Sequence, residues 1–162
     1  MTKTILITGS TDGIGLLTAK NLVADGHKVL LHGRSTAKLD AAAAEVGGDA
    51  ETYAADLGDM SAVECLAADI RARHDRLDVL INNAGVLKAP KTTLENGQDI
   101  RFVVNTLAPY RLTELLLPIM PGDGRVVNLS SAAQARVNLK AIEGRMALSD
   151  MDAHAPRTLA IT

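Results

Sequence analysis

Thr8-Gly9-Ser10-Thr11-Asp12-Gly13-Ile14-Gly15 stands between an apolar run, Thr4-Ile5-Leu6-Ile7, and a helical pattern that begins Leu16-Leu17-Thr18-Ala19-Lys20-Asn21-Leu22. A glycine-rich turn from strand to helix brings backbone N–H groups close to a phosphate. The helix N-terminus adds a partial positive charge at the same place. Gly9 permits the tight turn, Gly13 lets a pyrophosphate approach the backbone, and Gly15 lets the helix pack on the strand. Gly9, Ser10, Thr11, Gly13, Ile14 and Gly15 are therefore the first candidate ligand-binding residues, in a βαβ unit of the dinucleotide-binding kind. The plainer alternative is a βα turn whose glycines serve packing alone.

Outward from this stretch, strand and helix patterns alternate. Strands are expected at about 3–8, 28–33, 50–55, 78–82 and 124–130, and helices at about 14–25, 36–46, 59–73 and 97–118. Val29-Leu30-Leu31, Val79-Leu80-Ile81 and Val126-Val127-Asn128-Leu129 are short apolar runs with little alternation, which suits parallel strands buried on both faces. In the third helix, Met60, Val63, Leu66, Ala67 and Ile70 form one apolar face, with Asp59 and Ser61 where a cap belongs. Pro118 and Pro121-Gly122 end the fourth. No repeat, low-complexity segment or linker interrupts the pattern. It predicts a single α/β domain with a doubly wound parallel sheet of about five strands and right-handed crossovers.

Composition narrows the function. One domain is the natural reading of 162 residues. Hydrophobic residues make up 47%, yet the aromatic ones are only Phe102, Tyr53 and Tyr110, so the core must come from Ala, Val, Leu and Ile. A net charge of −2 supplies no basic field for nucleic acid. Cys65 is the only cysteine, which rules out an internal disulfide and fits a reducing compartment. The chain enters a strand almost at once, with no signal-peptide pattern, and no apolar run reaches the ~18–20 residues of a membrane span. A cytoplasmic protein is expected. His27, His32 and His74 are scattered, expected to be exposed, and lack metal-ligand spacing.

Further motifs fall where open α/β sheets bind ligands. Asp56-Leu57 follows the third strand, Asn82-Asn83-Ala84-Gly85 the fourth and Ser130-Ser131 the fifth, while Asn105 lies inside the long helix. In order and spacing, TGSTDGIG at 8–15, DL at 56–57, NNAG at 82–85, FVVNTLAPYRLTELLLP at 102–118 and RVVNLSSAA at 125–133 resemble the short-chain dehydrogenase/reductase family over nearly the whole chain. HGR at 32–34 and SSAAQ at 130–134 look like its retinol-dehydrogenase and protochlorophyllide-reductase branch.

The resemblance implies a Rossmann-type fold and roles for matching positions. Asp56 and Leu57 would border the adenine, although Asp56 also suits a plain turn or cap. Asn83, Ala84 and Gly85 would line the cofactor and support the central sheet. Asn105 would hold a water in a proton relay; a polar residue in mid-helix calls for some partner in any case. Ser131 would hydrogen-bond the substrate oxygen, with Ser130 the neighbouring candidate.

Cofactor choice has a physical argument of its own. An acid about 20 residues past the glycines accepts hydrogen bonds from the ribose 2′-OH of NAD. The second strand ends His32-Gly33-Arg34-Ser35 without a carboxylate, and Gly33 stands where the family places its NAD-selecting Asp. Arg34 can pair with a 2′-phosphate, so NADP(H) is expected in preference to NAD. The alternative is a surface Arg34 that stacks on adenine.

The family's catalytic pair is a Tyr followed four residues later by a Lys, together on one helix face. Here Tyr53 is followed at that spacing by Leu57 and Tyr110 by Glu114; His154 falls at the Tyr position and Thr158 at the Lys position. The sequence ends at Thr162, so the expected domain is incomplete at its C-terminus and lacks the family's last two strands. The fifth strand would then be a hydrophobic edge open to self-association. Two functions follow. The first is an NADP(H)-dependent oxidoreductase by descent, acting on a small carbonyl or alcohol with impaired catalysis, in which His154 is a doubtful acid. The second is a non-catalytic nucleotide-binding or interaction fragment.

Overall fold

The computed structural model describes residues 1–130, so Ser131, His154 and Thr158 lie outside the described residues. Five strands, β1 (Thr4–Ile7), β2 (Lys28–Gly33), β3 (Glu51–Ala54), β4 (Val79–Asn82) and β5 (Arg125–Asn128), form one sheet in the order β3-β2-β1-β4-β5. Every pairing is parallel. Helices α1 (Gly13–Ala24), α2 (Thr36–Val46) and α3 (Met60–Arg73) alternate with the first four strands. The expected doubly wound α/β sheet is therefore observed.

Side chains alternate across the sheet, and the two faces fill separately. Leu6 stands in register between Leu30 and Leu80. This row packs with Val63, Leu66 and Ile70 of α3 and with Leu112 and Leu116. Ile7, flanked by Leu31 and Ile81, faces the other way toward Ala19, Leu39 and Ala42 of α1 and α2. Burying each leucine of this kind contributes roughly 1.5–3 kcal/mol relative to leaving it in water. The caps follow the sequence: Asp59 Oδ1 accepts from the Ser61 N–H at 2.8 Å, and Ser35 Oγ accepts from the Lys38 N–H at 3.4 Å.

The helix expected over 97–118 is built differently. It runs as α4 (Ile100–Phe102), a π-helical turn (Val103–Leu107), α5 (Ala108–Leu116) and a 3₁₀ turn (Leu117–Ile119). Pro109 is the physical reason. It offers no N–H, and its ring would press on the Asn105 carbonyl four residues before it in an α-helix. The turn widens instead, and the Ala108 N–H reaches back five residues to the Val103 carbonyl. Asn105 thus sits in the middle of the widened turn.

His74 is 8% exposed, contrary to the expectation of a surface histidine. It closes the C-terminus of α3 over β3, where its Nε2 lies 2.9 Å from the Tyr53 hydroxyl and 3.3 Å from Glu51 Oε2. Burial and the neighbouring Glu51 carboxylate push the Tyr53 phenol up to about 12.

Candidate functional site

Loops at the carboxyl ends of β1, β2, β3 and β4 surround a cleft of about 760 Å³. It opens where the strand order reverses, at the β1–β4 junction, the place where open parallel sheets take ligands. Gly9, Thr11, Gly13, Ile14, Gly15, Arg34, Asp56, Leu57, Asn83, Ala84 and Gly85 all line it, as the sequence motifs lead one to expect.

Ser10 does not. It is fully buried, and its hydroxyl accepts from the His32 N–H at 2.9 Å and donates to the His32 carbonyl at 3.3 Å. Its task is to pin the glycine-rich turn to β2. The other side of the turn is pinned to the loop after β4. Thr8 Oγ1 accepts from the Asn83 and Ala84 N–H groups at 3.1 and 3.0 Å, and the Asn83 side-chain amide donates to the carbonyls of Thr8 and Gly9 at 2.9 and 2.8 Å.

Gly9 has φ +64°, and a Cβ there would come within 2.9 Å of the Ala84 Cα, so both conformation and space require glycine. Gly15 is needed for a reason other than the expected one. A Cβ on it would strike the Gly9 carbonyl and lie 2.6 Å from the Asn83 amide nitrogen, so it admits the turn and the β4 loop rather than the strand.

His32 is also buried, at 2% exposure, and forms part of the cleft wall. Its Nδ1 accepts from the Gly9 N–H at 3.2 Å. Burial pulls its pKa down to about 4, against the opposing influence of the Ala55 carbonyl and the Asp56 charge. The imidazole is therefore neutral near pH 7, with Nδ1 as acceptor and the hydrogen on Nε2. His32 was missed in the sequence because the residue type suggests a surface. Its position in β2, paired on both sides, was the available signal.

Asp56 Oδ1 accepts from the Gly58 N–H at 2.9 Å, as in a turn, and the residue lines the cleft. Leu57 reaches into the core as well, at 4% exposure. Arg34 and Lys38 stand exposed at the N-terminus of α2 and border the cleft, and no acid among the described residues makes an ion pair with either. Lys38, in the first turn of α2, was not singled out in the sequence, where it reads as an ordinary solvated lysine.

Asn105 finds its partner outside its own helix. Its Oδ1 accepts from the Val86 N–H at 2.8 Å and its Nδ2 donates to the Val86 carbonyl at 2.9 Å. Val86 and Val104 line the cleft beside Gly85. Ser130 is exposed at the end of the described chain. Among the described residues no cluster of His, Cys, Asp or Glu can hold a metal ion, and no helix is long and apolar enough to cross a membrane.

A sequence profile for short chain dehydrogenases matches residues 3–142. The chain belongs to the short-chain dehydrogenase family. Human retinol dehydrogenase 13 is 37% identical over 138 residues, covering 81% of this chain and 42% of that protein. The short-chain dehydrogenase from Streptomyces avermitilis superposes with a TM-score of 0.74 at 34% identity, over 96% of this chain and 57% of that one. A metagenomic short-chain oxidoreductase in complex with NADP gives a TM-score of 0.74 at 30% identity, over 96% and 70%. This chain thus spans less than half the length of its curated relative. The residues that line the cleft fit a nicotinamide dinucleotide: a glycine turn leads into a helix N-terminus, and the loops after β3 and β4 complete the wall.

Proposed function

We propose that this chain binds NADP(H) in preference to NAD(H), as part of an oxidoreductase that moves hydride between the cofactor and a small carbonyl or alcohol. The observation that carries the preference is the end of β2, where Arg34 and Lys38 border the cleft and Gly33 leaves no carboxylate. Backbone N–H groups of the Gly9–Gly15 turn and the N-terminus of α1 receive the pyrophosphate. Asp56 and Leu57 border the adenine, and Asn83, Ala84 and Gly85 line the cofactor. Bound nicotinamide supplies the hydride or accepts it. Asn105 holds Val86 in place and, with Ser131, stands as a remaining member of the proton relay.

Turnover is proposed to be weak, because His154 and Thr158 replace the Tyr and Lys of the catalytic pair. A positioned general acid contributes roughly 10²–10⁴-fold. The competing reading, a non-catalytic module that associates through a sheet edge, rests on β5, where Val127 is 42% exposed.

Fluorescence titration with NADPH and NADH tests the preference. NADPH should bind more tightly, and Arg34→Ala should remove most of the difference, about 10–100-fold for a lost charge-assisted contact. Equal affinity in the unmodified chain, or tighter NADH, overturns it. For turnover, NADPH-dependent reduction of ketones and aldehydes should stay near background. Robust activity that disappears on His154→Ala would show that the histidine serves as the acid.

A further inference from the structure

We propose that Thr11 sets cofactor choice jointly with Gly33: the Thr11 methyl occupies the space a side chain at position 33 would need, and so keeps an acid out of the end of β2. The inference rests on the NADP(H) reading above and deepens it. Gly33 is the buried last residue of β2 and lines the cleft. It lies about 20 residues past the glycine-rich turn, where an acid would accept from a ribose 2′-OH. Its backbone does not demand glycine, since its φ lies outside the left-handed region. Space does. A Cβ at position 33 would lie 2.6 Å from Thr11 Cγ2, whereas its next neighbours, Leu39 Cγ and Thr11 Oγ1, are both at 3.5 Å, an ordinary contact.

One methyl group is therefore the obstacle. Threonine is β-branched and stiff at χ1, and rotating it would re-aim a hydroxyl that borders the cleft. Leu39, 1% exposed, already stands at ordinary contact distance from the same point, and β2 is paired on both sides, with β1 and β3. An acid placed at position 33 alone must displace Thr11 or the strand. Serine at position 11 removes Cγ2 and keeps Oγ1, which gives the acid its place. Thr11 thus acts on specificity through position 33, in addition to any contact of its own.

The test is a double-mutant cycle on the full chain, with Thr11→Ser, Gly33→Asp and the double variant titrated with NADH and NADPH by fluorescence. Gly33→Asp alone should lose about tenfold or more in NADPH affinity without gaining NADH. The double variant should bind NADH at least about tenfold more tightly than the product of the single effects allows. If Gly33→Asp gains NADH as strongly as the double variant, the proposal is overturned.

Melting temperature provides an arm that needs no cofactor and survives a misfolded aspartate variant. Gly33→Ala should lower Tm by about 3–6 °C through overpacking, and Thr11→Ser in the same chain should restore most of it. Equal melting of Gly33→Ala with and without Thr11→Ser overturns the steric coupling. Failure of the NADP(H) preference would show separately, as equal affinities in the unmodified chain, with the melting coupling intact.

Discussion

His32 must stay neutral for the glycine-rich turn to keep its shape. Its Nδ1 accepts from the Gly9 N–H, and protonation would set one donor against another. The sign of the pH effect follows. The folded pKa is about 4, against about 6.5 in an unfolded chain, so between these values the unfolded state binds more protons. Stability should fall as pH drops from 6.5 through 4, by on the order of 3 kcal/mol in all. The lowered carboxylates Glu51, Asp78 and Asp99 add their losses at more acidic values, so pH 5–6.5 separates the loss at His32 from theirs. Thermal melts of the unmodified chain and of His32→Gln across that range check this, and parallel profiles would refute it. The sequence pointed to the glycines, to Asp56 and to Asn83 because their work is local or bound to a short motif. It misled on His32 and His74, whose burial depends on strands and helices distant in the chain.

The widened turn around Asn105 shows how far element-level reading reaches. Strand and α1–α3 boundaries agree with the apolar pattern within two residues, because each is governed by one period and one set of caps. The π turn escaped, since a period of 3.6 over 102–118 does not register a single inserted residue; Pro109 inside an apolar helix was the visible sign. Asn105 spends both ends of its amide on Val86, 19 residues earlier, a pairing no local pattern encodes. Asn105→Leu should therefore cost about 1–2 kcal/mol, because it leaves the half-buried Val86 N–H and carbonyl without their partner. It should also loosen the cleft wall at Val86. Denaturant unfolding measures the first effect and cofactor titration the second. A stability loss under about 0.5 kcal/mol would show that Val86 finds other partners.

Sheet topology followed from the alternation of strand and helix, and the family from the order of the motifs. The side of the sheet each helix covers was not readable, because it depends on the crossover from β3 to β4 past β1 and β2. Among the described residues β5 pairs on one side only, with β4, and its pattern is largely exposed. Parallel strands with an open edge invite further pairing. We propose that the chain self-associates through this edge; gel filtration with light scattering would show it, and Val127→Lys should reduce it. A clean monomer at high concentration with a cooperative melt would count against the edge as an interface.

The reversal of strand order also fixes a timetable for synthesis. Ile5 pairs with Val29 on one side and with Val79 on the other. Its first partner emerges from the ribosome soon after it; its second follows 50 residues later. At about 5–20 residues per second, the inner edge of β1 waits roughly 3–10 s with its backbone groups and apolar neighbours uncovered. The strand at the heart of the finished sheet is thus the one most dependent, during birth, on protection supplied by the cell.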